Sequence, residues 1–145
     1  MHTRQTSSRL RTHFAELTTC CLILLATNSF ADQAALIENG EDRFLRQCGI
    51  CHGVDGSGAG AFSELLVVSP PDLTTLAKSN DGHFPFKKIH KIIDGRDLPL
   101  AHGTGTMPIW GERYEHSVPD RNETIIAGRI FELMLFLESL QKKEP

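Results

Sequence analysis

The sequence predicts an all-α domain with a helix near each end, one helix in the middle and long loops between them. Apolar residues recur at helical spacing in three stretches, and glycine and proline concentrate in the segments that join these stretches. No stretch alternates apolar and polar residues as a pair of strands would. A chain of 145 residues has room for one such domain.

Residues 1–31 are predicted to be a cleaved signal peptide. Three arginines and a single acid, Glu16, precede the short apolar run 20–26, and Ser29-Phe30-Ala31 places small residues where a signal peptidase reads them. The apolar run is far shorter than the ~20 residues of a membrane span, so no stable membrane insertion is expected after cleavage. The folded domain is then 32–145, with a periplasmic location; a disordered or membrane-associated tail is the alternative.

The charge and cysteine content of the remaining chain narrow the class of protein. Without the leader, 12 of the 15 basic and 17 of the 18 acidic residues remain, a net charge of −5. This charge argues against nucleic acid as a partner, because a basic surface would be expected there. Only Cys48 and Cys51 remain, and one local cysteine pair adds little rigidity. So small a domain therefore needs a bound group at its centre.

The first helix is predicted over residues 33–47. Gly40, Phe44 and Cys48 recur at a spacing of four and share one face of this helix. A glycine in the middle of a helix costs about 1 kcal/mol relative to alanine. Gly40 therefore indicates that another helix packs closely against this position.

The middle helix is predicted over residues 85–94. Pro85 suits its first turn and Gly95 its end. The apolar stripe is Ile89, Ile92 and Ile93, and the outward face carries Lys87, Lys88, His90 and Lys91. This basic strip either docks an acidic redox partner or is simply the solvated face of the helix.

The last helix is predicted over residues 121–141, with Asp120 and Glu123 at the spacing of a capping box. Its apolar face is Ile126, Ile130, Leu133, Leu137 and Leu140. Residues 53–82, apart from a short helical turn at 72–78, and residues 96–119 are expected to be loops. Loops of this length are uncommon in a compact domain unless they pack on a bound group.

The chemistry lies in Cys48-Gly49-Ile50-Cys51-His52. Two thiols three residues apart can form thioethers with the two vinyl groups of a porphyrin, and the adjacent imidazole can bind the iron, so C-x-x-C-H is typical of c-type haem attachment. A zinc site would need a second group of ligands. A redox dithiol would need a βαβ context. We therefore expect one covalently bound haem c.

Met107 is the predicted second axial ligand of the haem iron. It lies in Thr106-Met107-Pro108, within a segment rich in glycine and proline, which is an unusual place for a core methionine. Met/His ligation raises the reduction potential of a haem. The alternatives are that Met107 fills a gap in the core or that His102 is the ligand. Met134, in the last helix, is expected to pack in the core.

The chain resembles class I c-type cytochromes of the bacterial, periplasmic, mono-haem kind across nearly its whole length. The resemblance implies the cytochrome c fold, in which the N- and C-terminal helices cross and the middle helix and long loops wrap around one covalently bound haem. The insert between His52 and Pro71 is longer than in the shortest members. The matching motifs are Gly40-x-x-x-Phe44-x-x-x-Cys48-x-x-Cys51-His52, Pro71-Asp72-Leu73, Thr106-Met107-Pro108 and Leu133-x-x-Phe136-Leu137.

The resemblance also implies that the Pro71 carbonyl accepts a hydrogen bond from the His52 imidazole, which would fix the ring plane and raise its basicity. Leu73 is expected on the apolar wall of the haem pocket, together with Phe44, Ile92, Ile93 and Leu133. As hydrogen-bond donors, Trp110, Arg96 and His102 are candidate partners for the haem propionates or edge. A plain surface position is the alternative for each of these three.

With both axial positions of the iron filled, the expected function is electron transfer and not enzyme catalysis. The partners are then donor and acceptor redox proteins, which the sequence does not identify. The alternative functions are a haem c subunit of a larger periplasmic dehydrogenase or oxidase, and a ligand-sensing haem protein. The last of these would bind carbon monoxide readily when reduced.

Overall fold

The computed structural model describes residues 31–97 and 107–142. The chain divides into two compact units, 1–35 and 36–145, and the described residues of the first unit, 31–35, are helical. Residues 1–30 of the predicted signal peptide lie outside the described residues, as do His102 and Thr106. The leader and the boundary of the mature domain stay predictions.

The described residues contain five α-helices and no strand, so the all-α prediction is confirmed. The described ranges also contain four short 3₁₀ turns, which lie between or beside the helices: Ser63–Leu65, Leu73–Thr75, Lys78–Asn80 and Pro119–Arg121. None of the helices in the described ranges is long and apolar enough to cross a bilayer. The helices are α1 (31–47), α2 (Gly49–His52), α3 (Phe86–Asp94), α4 (Trp110–Ser117) and α5 (Glu123–Ser139).

The hydrophobic core lies where α3, α4 and α5 contact one another and α1. The predicted face of α5 is buried, with Leu140 partly so, and Met134 is buried as expected. Ile92, expected on the haem wall, is exposed, as are the three lysines of α3. The buried core residues are Phe44, Ile89, Ile93, Trp110, Tyr114, Val118, Ile126, Ile130, Leu133, Met134, Phe136 and Leu137.

Helix α1 crosses α5 at Gly40, as the sequence predicted. A Cβ atom on Gly40 would collide with the backbone carbonyl oxygen of Glu132 and lie 2.9 Å from the Cβ of Phe136. Beside this contact, the rings of Phe44 and Phe136 lie 5.3 Å apart, and Arg43 Nη2 donates to Glu132 at 2.8 Å. Only glycine permits so close an approach of the two backbones.

The prediction that residues 96–119 form a loop is wrong for Trp110–Ser117, which form α4. Trp110 and Tyr114 share one face at a spacing of four, and this face is buried together with Val118 just beyond the helix. An isolated helix of eight residues would be marginal, so α4 depends on its contacts with α3 and α5.

The predicted cap of α5 is also wrong. The N-cap is Asn122, whose side-chain oxygen accepts hydrogen bonds from the backbone N–H groups of Thr124 and Ile125 at 3.0 and 3.3 Å. Asp120 lies in the preceding 3₁₀ turn with φ +55° and does not cap the helix. Asparagine and aspartate are comparable N-caps, so the choice between them depends on where the turn ends.

Candidate haem site

The two cysteines and the histidine lie together on one helical turn at the end of α1. Cys48 N–H donates to the Phe44 carbonyl at 2.8 Å, and His52 N–H donates to the Cys48 carbonyl at 2.9 Å, so α1 passes almost directly into α2. Cys48 and Cys51 are free thiols, both partly buried. The sequence-predicted constellation of two thiols and one imidazole is therefore a local feature of this turn.

The following segment folds back onto the same turn through its backbone. Gly58 N–H donates to the His52 carbonyl at 2.7 Å, Gly60 N–H to the Cys51 carbonyl at 3.2 Å, and Phe62 N–H to the Ile50 carbonyl at 2.9 Å. A Cβ on Gly60 would lie 2.5 Å from the Cys51 carbonyl carbon. At Gly58 and Gly60, the absence of a side chain therefore lets the protein backbone pack on itself.

Pro71 lies across this segment from His52. Gly58 has φ +88°, and a Cβ there would lie 2.5 Å from the Pro70 oxygen and 3.2 Å from the Pro71 oxygen. Nδ1 of His52 is buried and has no hydrogen-bond partner within the described residues. The Pro71 carbonyl is near enough to act on the pKa of His52 but does not meet hydrogen-bond geometry, so its role as acceptor stays a prediction.

The surroundings of the turn are poorly solvated, and the pKa values show it. Burial raises the pKa of the Cys48 thiol to about 12, with a further contribution from Cys51. Burial also lowers the pKa of His52, and the Pro71 carbonyl opposes this shift without cancelling it. Both shifts favour the uncharged form, as expected where water is excluded.

Leu73 is hydrogen-bonded through its backbone both to Gly56 and to Gln141, which lies just beyond the end of α5. Its N–H donates to the Gly56 carbonyl at 2.8 Å, and its carbonyl accepts from Gln141 Nε2 at 2.8 Å. The side chain of Asp72 accepts from Thr74 N–H at 2.8 Å and so caps the short turn that contains Leu73. Leu73 is partly buried and packs against the core, while its place on a haem wall stays a prediction.

Helix α4 connects the segment around Met107 to the turn that holds Cys48, Cys51 and His52, and the sequence did not predict this helix. Met107 is 39% exposed and lies two residues before Ile109, the N-cap of α4. The hydroxyl of Tyr114, on α4, donates to Gln47 Oε1 at 2.6 Å, and Gln47 directly precedes Cys48. The i, i+4 spacing of Trp110 and Tyr114 was the signal that could have revealed this helix.

Trp110 and Arg96, the predicted propionate partners, already have contacts within the protein. Trp110 is buried against Tyr114, with ring centroids 6.0 Å apart, and Arg113 lies 5.3 Å above the indole ring. Arg96 donates to three carboxylates, those of Asp94, Glu115 and Glu123. Propionate binding by either residue stays a prediction.

Comparison with known proteins identifies the family. The profile of the cytochrome c family matches residues 37–116, which is more than half of the chain. The chain belongs to the cytochrome c family. This membership supports haem-based electron transfer and redox proteins as the partners of this cytochrome.

The other comparisons add little about this cytochrome. Leucine–tRNA ligase 1 of Rhizobium johnstonii is 34% identical over 65 residues, which is 42% of the cytochrome chain and 8% of the ligase. The cytochrome thus spans less than a tenth of that relative, and no property of the ligase follows for it. No solved structure matches the chain.

The residues of the cytochrome fit a haem at this turn. Two unpaired thiols can form thioethers, and a partly buried imidazole kept neutral by desolvation can bind iron. The segment bonded to the turn also presents apolar side chains that the protein core does not cover: Val54, Phe62, Leu65, Val67 and Val68. These are donors and apolar surfaces that suit a porphyrin.

Proposed function

We propose that the protein is an exported, periplasmic carrier of single electrons. One haem would be bound through thioethers to Cys48 and Cys51, with His52 and Met107 as the two iron ligands. The supporting observation is the single turn that holds both thiols beside a partly buried imidazole, whose pKa is lowered by burial and whose buried Nδ1 lies near the Pro71 backbone. The haem would supply a centre that gains and loses one electron at a potential raised by the thioether ligand.

In this function the polypeptide would bind the haem and exclude water from its surroundings. In a haem the porphyrin nitrogens occupy four positions on the iron, and His52 and Met107 would occupy the other two. No position would remain for a substrate, so no bond-making reaction is proposed. The backbone bonds from Gly58, Gly60 and Phe62 hold the binding turn in one shape. Desolvation keeps His52 in the neutral form that binds metal. A fixed, dry ligand environment limits reorganisation when the charge of the iron changes.

The first test is the mass and colour of the protein recovered from the periplasm. We expect one polypeptide beginning at Asp32 that carries the mass of one haem, with the haem remaining on the protein after acid–acetone extraction. Haem that passes into the acetone would refute the thioethers. A mass that includes residues 1–31 would refute the predicted cleavage.

The second test compares two methionines. Met107→Leu removes the proposed ligand, so the reduction potential should fall and the reduced protein should bind carbon monoxide. Met134→Leu is the matched control, because Met134 is buried in the core and leucine conserves its volume. The control should keep the wild-type visible spectrum. A wild-type spectrum in Met107→Leu would exclude Met107 as a ligand.

A third measurement separates a free carrier from a haem subunit of a larger enzyme. As a free carrier, the cytochrome should elute from native periplasmic extract at the size of the cytochrome alone. Stable co-purification with a larger dehydrogenase or oxidase would instead assign the subunit role.

A further inference from the structure

Arg96 is bonded through every N–H group that it has. Nε and Nη2 donate to the two oxygens of Asp94 at 2.6 and 3.0 Å, and Nη1 and Nη2 donate to those of Glu123 at 2.8 and 3.0 Å. Nη1 also donates to Glu115 at 2.9 Å. A guanidinium has five N–H groups, so this network uses all of them.

These partners come from three helices. Asp94 is the last residue of α3, Glu115 lies in α4, and Glu123 begins α5. The side chains of Arg96, Asp94 and Glu115 are 23, 18 and 26% exposed, so water screens their ion pairs less than it would on an open surface. Bidentate pairs also fix relative orientation, which a single contact does not.

The same network forms one side of a tight backbone contact. A Cβ on Gly111 would collide with Asp94 Oδ1 and lie 2.5 Å from Arg96 Nε, and a Cβ on Gly95 would lie 3.3 Å from Ile109 Cγ2. Residues 94–96 therefore pack directly against residues 109–111. Met107 lies two residues before Ile109, the first residue of the second segment.

We propose that Arg96 is a positioning residue for Met107: by fixing residues 109–111 against residues 94–96, it sets the position from which that methionine reaches the iron. This role rests on the proposed ligation by Met107. Fixing residues 109–111 reduces the conformational freedom of the adjoining Met107, so the Met107 sulfur is presented to the iron at a lower entropic cost. Arg96 does not itself contact the iron or the haem in this role.

The charges around Arg96 favour positioning over propionate binding. One guanidinium faces three carboxylates, so a haem propionate would meet an excess of negative charge and would have to displace an existing bond. Hydrogen bonds from Arg96 hold the pKa of Asp94 and that of Glu123 below their ordinary values, which keeps both carboxylates ionised as partners.

The test compares holoprotein variants at a temperature where all are folded. In Arg96→Met, the reduced protein should bind carbon monoxide several-fold faster than wild type, and its reduction potential should shift toward that of Met107→Leu. The matched control is Glu132→Met. It breaks the Arg43–Glu132 ion pair, of similar burial, between α1 and α5 but leaves residues 94–96 and 109–111 untouched. The control should lower thermal stability without changing potential or carbon monoxide binding.

Glu123→Gln separates the two roles of Arg96. If Arg96 positions Met107, this variant should shift carbon monoxide binding in the same direction as Arg96→Met, by a smaller factor. If Arg96 binds a propionate, removal of a competing carboxylate should leave carbon monoxide binding at the wild-type rate, and that result would overturn the proposal. Arg96→Lys keeps the positive charge but loses the planar guanidinium with its paired donors. Its rate of carbon monoxide binding and its reduction potential should therefore lie between those of wild type and Arg96→Met.

The outcomes also distinguish this proposal from the proposed function. If Met107→Leu changes the spectrum while Arg96→Met changes only the thermal midpoint, the positioning role is refuted and the ligation stands. If Met107→Leu leaves the spectrum unchanged, Met107 is not a ligand and both proposals are refuted.

Discussion

At the scale of single residues, the burial of His52 and its binding chemistry favour the same state. Desolvation lowers the pKa of the imidazole and so favours the neutral ring, which is the form that binds metal. Nδ1 is buried without a partner in the described residues, and an unsatisfied buried donor costs about 1–3 kcal/mol. The nearby Pro71 carbonyl is the group that would remove this cost and orient the ring.

Tyr114 provides a residue-scale prediction, because it is the single tyrosine of the chain. Burial raises the pKa of Tyr114 from 10.0 to about 12, against a smaller lowering by Arg43 and Arg129. The neutral phenol therefore contributes stability in full below pH 10, and this contribution is lost as the pH rises toward 12. In an alkaline titration of the holoprotein, the ultraviolet band of tyrosinate should develop near pH 12.

Tyr114→Phe is the control for this titration. It removes the phenol and keeps the buried ring, so subtracting its spectra leaves the signal of Tyr114 alone. This variant should also lose the hydrogen bond to Gln47 Oε1 and unfold at a somewhat lower temperature. A tyrosinate band near pH 10 would show that the phenol is open to solvent and that α4 is not held against the cysteine turn.

At the scale of elements, the crossing of α1 and α5 predicts opposite effects of one substitution at two glycines. Gly40→Ala places a methyl group against the Glu132 carbonyl, so the helices must separate, at a cost of about 1–3 kcal/mol. Gly128, within α5, has no described atom within 4 Å of a built Cβ. Gly128→Ala should therefore raise the free energy of unfolding by about 1 kcal/mol through helix propensity alone.

Denaturant unfolding of the two variants measures both signs with the same chemical change. The midpoint should move down for Gly40→Ala and up for Gly128→Ala, with the slope unchanged. Loss of stability in both variants would mean that glycine is needed for backbone conformation and not for the close approach of the helices.

The elements that the sequence predicts well are those whose signal is local. α3 and α5 have apolar residues at helical spacing over several turns. Gly40, a glycine in the middle of a helix, indicated that another helix packs closely against α1 at that position. α4 was not predicted because Gly111 and the flanking prolines are typical of loops. The apolar face of α4 is also short, since it consists of Trp110, Tyr114 and Val118. Its stability comes from α3 and α5, which no local pattern encodes.

At the scale of the whole molecule, the site also has a local part that the sequence predicts and a long-range part that it does not. Cys48, Cys51 and His52 lie within five consecutive residues, so the sequence alone indicates their chemistry. The Arg96 network joins residues 19 and 27 positions apart, and the Tyr114–Gln47 bond joins residues 67 apart. These contacts exist only because helices distant in the sequence meet, so the sequence alone indicates Arg96 as a hydrogen-bond donor but does not identify its partners within the protein.

The two parts of the folded unit differ in how they are stabilised. Residues 36–47 and α5 bury a continuous apolar surface that includes Phe44, Ile130 and Leu133. In residues 53–82, the buried side chains are limited to Ala77 and Thr74, and several large apolar side chains are exposed. That segment is held by backbone bonds to the cysteine turn and by hydrogen bonds to Gln141 and Lys142 beyond α5, and in the proposed holoprotein by packing on the haem.

This difference predicts unequal hydrogen exchange in the native holoprotein. Amides of residues 36–47 and of α5 should exchange only through global unfolding, because opening either helix exposes the shared core. Amides of residues 53–82 should exchange through local openings of lower free energy. Gly40→Ala should lower the opening free energy of the helices toward that of the segment while leaving the segment unchanged, since its bonds do not involve the helix crossing. Equal protection of both parts in wild type would contradict this division, and so would a parallel loss in both parts of the variant.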